Sequence, residues 1–180
     1  MALSLGIVHV RSDFLFNYNL YELATLCYRH LKKYKKAEYL FLKLLDSFKN
    51  RSDYYRNYYD SLLNLGRLYR DIEKYTRSKE MFVRAERIGR RIFGELDTEY
   101  IMIIDELAWV YSQLHEYNKS KYLYSRLVKI HEDSPEEYKR TEEYKTMYPK
   151  SLNDLAAMYN LTGRYDQAKK TYLKSLRMWD

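Results

Sequence analysis

The feature that most constrains this chain is an internal repeat, which is clearest in Ser151–Arg177. Its first half places apolar and small residues at i, i+3, i+4 and i+7, the spacing of one helical face: Leu152, Leu155, Ala156 and Tyr159. Gly163 breaks that pattern, and a second face with the same period follows: Ala168, Tyr172 and Ser175. Two amphipathic helices joined by a tight turn form a helical hairpin. Such a hairpin cannot bury its own apolar face, so it needs copies of itself beside it.

Earlier copies of this pattern occur three times along the chain. The small residue of the first helix recurs at spacings of 41, 42 and 48 residues, at Thr25, Gly66, Ala108 and Ala156. Three aromatic positions recur with it, and the ten tyrosines that occupy these positions, out of 22 in the chain, are expected to pack between helices. The low content of helix breakers, 5 glycines and 2 prolines, also favours helices over a turn-rich β fold.

The repeated pattern, Leu–small–x–x–aromatic followed by small–x–x–x–aromatic, resembles a tetratricopeptide repeat. The period near 42 and the linker RIGRRIFGELDTEY at 87–100 resemble the longer variety found in kinesin light chain. The resemblance implies an all-α fold, an α-solenoid of about four helix-turn-helix repeats wound as a right-handed superhelix. We expect a lead-in segment at 1–16 and an array at 17–180, with repeats at 17–50, 53–92, 97–132 and 149–180. The 48-residue interval departs from the pattern and predicts an insertion at about 133–148.

No catalytic, metal-binding or cofactor-binding motif is recognisable in the sequence. The four histidines have no metal-ligand spacing, and the glycines do not form a phosphate-binding loop. One of these histidines, His115, occupies the turn position that Gly163 holds in the last repeat. The single cysteine, Cys27, allows no internal disulfide and suits a reducing compartment. The start of the chain does not read as a signal peptide, and no apolar run reaches the roughly 20 residues of a membrane span. We therefore expect a non-enzymatic cytoplasmic protein without a cofactor.

Binding is expected on the concave surface that stacked hairpins create. The resemblance places first-helix residues on that surface, and the candidate peptide-binding residues are Arg29, Asn64, Arg67, Arg70, Trp109, Asn153 and Asn160. An arginine fork suits a carboxylate on the ligand, and an asparagine amide offers both a donor and an acceptor to a peptide backbone. The alternative is that these arginines form only a solvated face.

The leading hypothesis is a protein-interaction scaffold or adaptor that binds an acidic peptide in this groove. The alternative is a structural segment of a larger assembly, which would self-associate through an apolar C-terminal edge at Leu173, Leu176 and Trp179. Nucleic-acid binding through the net charge of +7 ranks lower, because 25 acidic residues alternate with the 32 basic ones.

Overall fold

The computed structural model describes residues 2–49, 51 and 54–178, with side chains from Leu15 onward. This part of the chain contains helices and no strand. The helices are α1 (Ala2–Arg29), α2 (Tyr34–Phe48), α3 (Tyr55–Asp71), α4 (Tyr75–Ile92), α5 (Thr98–Gln113), α6 (Tyr117–Asp133), α7 (Glu136–Lys139), α8 (Glu142–Leu161) and α9 (Tyr165–Leu176). The first helices of the repeats are α1, α3, α5 and α8, and the second helices are α2, α4, α6 and α9.

The chain divides into two compact units, Met1–Met81 and Phe82–Asp180, and the boundary falls within α4. In unit 1, α2 packs against both α1 and α3. Its core includes the fully buried Phe41, Leu44 and Tyr59. In unit 2, α6 packs against α5 and α8, and α8 packs against α9. Each unit thus buries apolar helix faces between neighbouring helices, as the repeat pattern requires.

Every hairpin turn contains one residue in the left-handed backbone region. These residues lie at the same position of each repeat, with φ values of 53°, 60°, 59° and 72°: Lys32, Glu73, His115 and Gly163. The sequence pattern had predicted that His115 occupies the turn position of Gly163, and this is confirmed. Only the last repeat uses the residue that adopts this conformation without steric cost.

The small residue of the first helix faces the start of the second helix. In two repeats a buried serine donates a hydrogen bond to its carbonyl oxygen, from Ser78 Oγ to Gly66 at 2.8 Å and from Ser120 Oγ to Ala108 at 2.8 Å. In the other two repeats the serine position is occupied by a buried alanine, Ala37 or Ala168. A small side chain is required at this position because the helices approach closely there.

Successive hairpins are joined by a recurring arrangement that we call the Tyr–Glu–cation triad. A first-helix tyrosine donates to a glutamate of the preceding second helix, and a cation of the following second helix lies over the tyrosine ring. The three triads are Tyr69–Glu38–Arg77, Tyr100–Glu86–Arg126 and Tyr148–Glu132–Lys174. Their hydroxyl–carboxylate distances are 2.8, 2.7 and 3.0 Å, and their cation–ring distances are 5.7, 5.4 and 5.6 Å. Each triad therefore satisfies a tyrosine hydroxyl at a packed helix junction.

The two longest helices begin earlier than the sequence pattern predicts. We predicted a first helix from residue 17, whereas α1 begins at Ala2. The first helix of the fourth repeat was expected from residue 149, whereas α8 begins at Glu142 and contains Pro149. The reason for the second difference is a strong start signal, since the Thr141 side chain accepts a hydrogen bond from Tyr144 N at 3.2 Å and Glu142 and Glu143 occupy the first turn.

The segment predicted as an insertion, 133–148, is mostly helical. It comprises the end of α6, the short helix α7 and the first two turns of α8. The burial of Tyr144 and Tyr148, at 7% and 3% exposure, shows that this segment contributes to the core of unit 2.

Candidate functional site

In unit 1, the predicted arginines lie on the first helices α1 and α3. Arg29 is exposed at the end of α1, and Arg67 and Arg70 are half-buried on α3. Two leucines of α1 are also exposed, Leu23 by 38% and Leu26 by 45%. The first helices of unit 1 therefore present both cationic and apolar side chains.

Asn64 is more buried than expected for a residue that contacts a ligand. Only 4% of it is exposed, and its amide nitrogen donates to Tyr21 Oη at 2.8 Å and to the Asp60 carbonyl at 3.0 Å. Its Oδ1 atom is buried and has no hydrogen-bond partner among the described residues, and the same holds for Thr25 Oγ1 on α1. A buried polar atom without a partner carries a free-energy cost that a donor from outside could remove.

Asp71 joins Arg70 of α3 to the core of unit 1. Arg70 donates to Asp71 Oδ1 from Nε at 3.1 Å and from Nη2 at 3.0 Å, and Tyr28 Oη donates to Asp71 Oδ2 at 2.7 Å. Burial and then this hydrogen bond raise the pKa of Tyr28 above its usual value, while the positive charges of Arg70 and Arg67 act against the shift. Both guanidinium groups thus lie near one hydroxyl–carboxylate pair, which offsets part of their charge.

In unit 2, the three predicted residues lie on the first helices α5 and α8. Trp109 on α5 is 37% exposed. Asn153 is exposed on α8 and lines a groove of about 280 Å³ together with Tyr172, Leu173 and Leu176 of α9. Asn160 is exposed in the last turn of α8.

Lys150, which the sequence analysis did not select, is the best-connected charged residue between α5 and α8. Its ammonium donates to both carboxylate oxygens of Asp105 at 2.8 Å and to Asp154 Oδ2 at 3.0 Å. Burial raises the pKa of the Asp105 carboxyl, although the hydrogen bond from Lys150 acts in the opposite direction. The spacing of Lys150 and Asp154 on one helix was the available signal, because residues four apart on a helix are neighbours.

The described part of the chain offers no constellation for other chemistry. Among these residues no three His, Cys, Asp or Glu side chains are grouped as metal ligands. None of the helices described has the length and apolar character needed to cross a membrane. Cys27 is free and buried.

Comparison with protein-family models identifies the repeat. The model described as "Tetratricopeptide repeat" matches residues 60–97 and 150–179. These segments contain the best-matching copies of the sequence pattern, so the prediction of tetratricopeptide repeats is confirmed. The comparison with curated protein sequences found no match.

Solved structures with a similar fold include three proteins of low sequence identity. BtubC (BKLC) from P. vanneervenii is 16% identical with a TM-score of 0.79 over 92% of this chain and 64% of that protein. A putative kinesin light chain with nearly identical TPR-like repeats from Podosopora anserina is 16% identical, with a TM-score of 0.73 over 91% of this chain and 74% of that one. The apo form of RapI is 17% identical, with a TM-score of 0.72 over 90% of this chain and 55% of RapI. These likenesses show the fold, an all-α solenoid of tetratricopeptide repeats. The chain spans slightly less than two thirds of the length of BtubC.

Proposed function

We propose that this tetratricopeptide-repeat chain is a non-enzymatic cytoplasmic scaffold that binds an acidic peptide segment along its first helices. Repeats of this kind generally mediate protein–protein interaction, and the stacked first helices form the surface that they use. The ligand class is inferred from the side chains of unit 1.

The observation that carries this proposal is the combination of charge and apolar surface on α1 and α3. Arg29 is exposed, Arg67 and Arg70 lie one turn apart, and Leu23 and Leu26 expose apolar area on the neighbouring helix. A peptide with carboxylates flanking a leucine or an aromatic residue would match this combination. Carboxylates would accept charge-assisted hydrogen bonds from the guanidinium groups, and the apolar side chain would cover the leucines.

Asn64 supplies the second element of the proposed recognition. Its buried Oδ1 lacks a partner among the described residues, so a peptide N–H or a bridging water that reaches it would satisfy this acceptor. In unit 2, Trp109, Asn153 and Asn160 remain predicted contacts.

The test is binding of fluorescent peptides rich in Asp and Glu with a central leucine, compared with peptides in which Lys replaces each acid. We expect the variant Arg67→Glu, Arg70→Glu to weaken binding of the acidic peptide at least tenfold and to remove the loss of affinity with added salt that the wild type should show, because the screened charge attraction is gone. The matched control is Arg87→Glu, Arg90→Glu on α4, which makes the same charge change on an exposed second-helix surface. An equal loss of affinity in both variants would indicate a general charge effect and would refute the proposed binding site on α1 and α3.

A second candidate function is assembly through the apolar face of α9. Leu173 and Leu176 are exposed by 45% and 60% beside the groove that Asn153 lines, whereas Trp179 lies outside the described residues. Tyr172 of α9 is also exposed, by 43%, whereas Tyr124 and Val128, which are the α6 residues equivalent to Tyr172 and Leu176, are buried. An exposed face of this kind favours association with another helical surface.

Light scattering of the full chain distinguishes this second function from the first. Self-association through α9 predicts a mass above that of the monomer, which Leu173→Glu, Leu176→Glu reduces to the monomer. Leu31→Glu, Leu42→Glu is the matched control, because these leucines of unit 1 are exposed to a similar degree, by 48% and 46%. A monomeric wild-type chain at high concentration would exclude self-association.

A further inference from the structure

The insertion at 133–148 surrounds a fully buried histidine with tyrosine rings. His131, on α6, is 0% exposed, and neither ring nitrogen has a hydrogen-bond partner among the described residues. Its ring lies 6.3 Å from that of Tyr138, 6.0 Å from that of Tyr144 and 5.9 Å from that of Tyr148, measured between centroids. We call these four residues the histidine–tyrosine cluster.

The cluster is what holds α7 and the first turns of α8 beside α6. The Tyr138 ring of α7 is parallel to the imidazole within 6°, and the tyrosines of α8 stack on each other at 5.1 Å. Tyr138 Oη is also buried, and no described residue forms a hydrogen bond with it. The contact therefore consists of ring packing, and no hydrogen bond within the cluster compensates a charge on the imidazole.

A neutral imidazole is tolerated in this setting at a modest cost, whereas a protonated one has two N–H donors and a charge with no acceptor. Burial lowers the pKa of His131, and the carboxylate of Glu143 acts against that shift with a smaller effect. Glu143 already accepts a hydrogen bond from Thr98 Oγ1 at 2.8 Å. When α7 and the start of α8 move away, water can solvate the ring and its pKa returns toward its ordinary value.

The other charged groups around the cluster are occupied with one another. Glu132 of α6 accepts from Tyr148 and is paired with Lys174 of α9. Glu136 and Lys139 of α7 form an ion pair at 2.8 Å, and Lys145 and Glu142 of α8 form one at 2.6 Å. Imidazole is the side chain whose ordinary pKa lies near neutral pH, so His131 is the group of this junction that can respond to pH in that range.

We propose that the histidine–tyrosine cluster is a pH-sensitive switch, in which a proton on His131 releases α7 and the first two turns of α8 from α6. The open state binds a proton more readily than the closed state. The closed state is therefore fully favoured above about pH 6.5, and its advantage falls by up to about tenfold per pH unit below that value. Release would expose three tyrosine rings and the α6 surface beneath them.

The experiment is hydrogen–deuterium exchange of the full chain at pH 7.5 and pH 5.5, with each amide corrected for its intrinsic exchange rate. We expect the protection of amides at 138–147 to fall several-fold at pH 5.5, while that of α5 stays constant. The variant His131→Phe keeps a ring and removes the titrating nitrogens, so its protection in this segment should not depend on pH. His30→Phe, at an exposed histidine of unit 1, should behave as the wild type.

A direct measurement covers the case in which His131→Phe does not fold. The ring proton resonance of His131 in the wild-type chain, followed by NMR from pH 8 to pH 5, should titrate with a midpoint below about 6.5. A midpoint at or above that value would overturn the switch. Equal protection of 138–147 at both pH values, or the same loss in a folded His131→Phe variant, would also overturn it.

Discussion

The junction of α2 with α3 in unit 1 and the junction of α6 with α8 in unit 2 both pack one hairpin against the next. They do so with different residues. Both use a Tyr–Glu–cation triad, with Glu38 in the first and Glu132 in the second. At the first junction a short linker leads directly into α3, and Phe48 stacks on Tyr54 at 5.4 Å with Arg51 over the tyrosine ring. At the second, extra residues form α7 and lengthen α8, and a histidine takes the place of an apolar ring.

This difference shows what an insertion into a repeat array has to achieve. The added residues lengthen the chain between α6 and the part of α8 that carries the repeat pattern. Their own side chains therefore have to fill the junction. Tyr138, Tyr144 and Tyr148 do so around His131. The Phe48 ring of the first junction cannot take up a proton, whereas the His131 imidazole of the second junction can.

The largest expected effect comes from removing the apolar ring of the first junction. Phe48 is 3% exposed, so Phe48→Ala should lower the free energy of unfolding by about 3–5 kcal/mol through lost burial and the cavity left behind. Chemical denaturation measures this loss. Phe16→Ala is the control, because Phe16 is 64% exposed and its truncation should change stability by about 0.5 kcal/mol or less. Similar effects of the two truncations would mean that the Phe48–Tyr54 stack does not hold this junction.

The next effect has the opposite sign and belongs to the second junction. His131→Phe replaces a buried ring with two unpartnered nitrogens by an apolar ring of similar shape. At pH 7 we expect the free energy of unfolding to rise by about 1–3 kcal/mol, the cost of leaving buried polar groups unsatisfied. A clear loss of stability at pH 7 would mean that the imidazole is favourably bonded and that the two junctions differ less than their contacts indicate.

The smallest effect tests what the two junctions share. Tyr69→Phe and Tyr148→Phe each remove one hydroxyl–carboxylate hydrogen bond, and each should lower stability by about 0.5–1.5 kcal/mol. Denaturation of the two variants beside Tyr39→Phe, at a tyrosine that is 56% exposed, isolates the hydrogen bond from the change of residue. Unequal losses at the two triads would show that the insertion alters the triad as well as the space around it.

The repeat register could be predicted from sequence because small and aromatic residues recur at one spacing, which directly reflects helix packing. Thr25, Gly66, Ala108 and Ala156 all lie at the contact between two helices, and the turn position of Gly163 recurs as predicted. The start of α8 could not be predicted from the repeat spacing, because the Thr141 cap lies eight residues before the predicted start at residue 149.

The candidate site was less accessible to sequence reasoning than the fold. The positions of the arginines on first helices followed from the register, but their partners did not. Arg70 pairs with Asp71, the next residue in the sequence. Lys150 pairs with Asp105, which is 45 residues away in the sequence. Asn64 has the expected position in the repeat, yet its burial depends on Tyr21, which approaches it only when α1 and α3 are in place.

The triads and the Tyr28–Asp71 and Lys150–Asp105 contacts join residues that are at most 45 positions apart. Contacts of this range require only short loops to close, so the chain should fold quickly and without a single obligatory nucleus. A substitution in one hairpin would then accelerate the unfolding of that hairpin and its immediate neighbours more than that of distant ones. The folding kinetics of this chain should accordingly be those of a series of adjoining segments, each with its own opening rate.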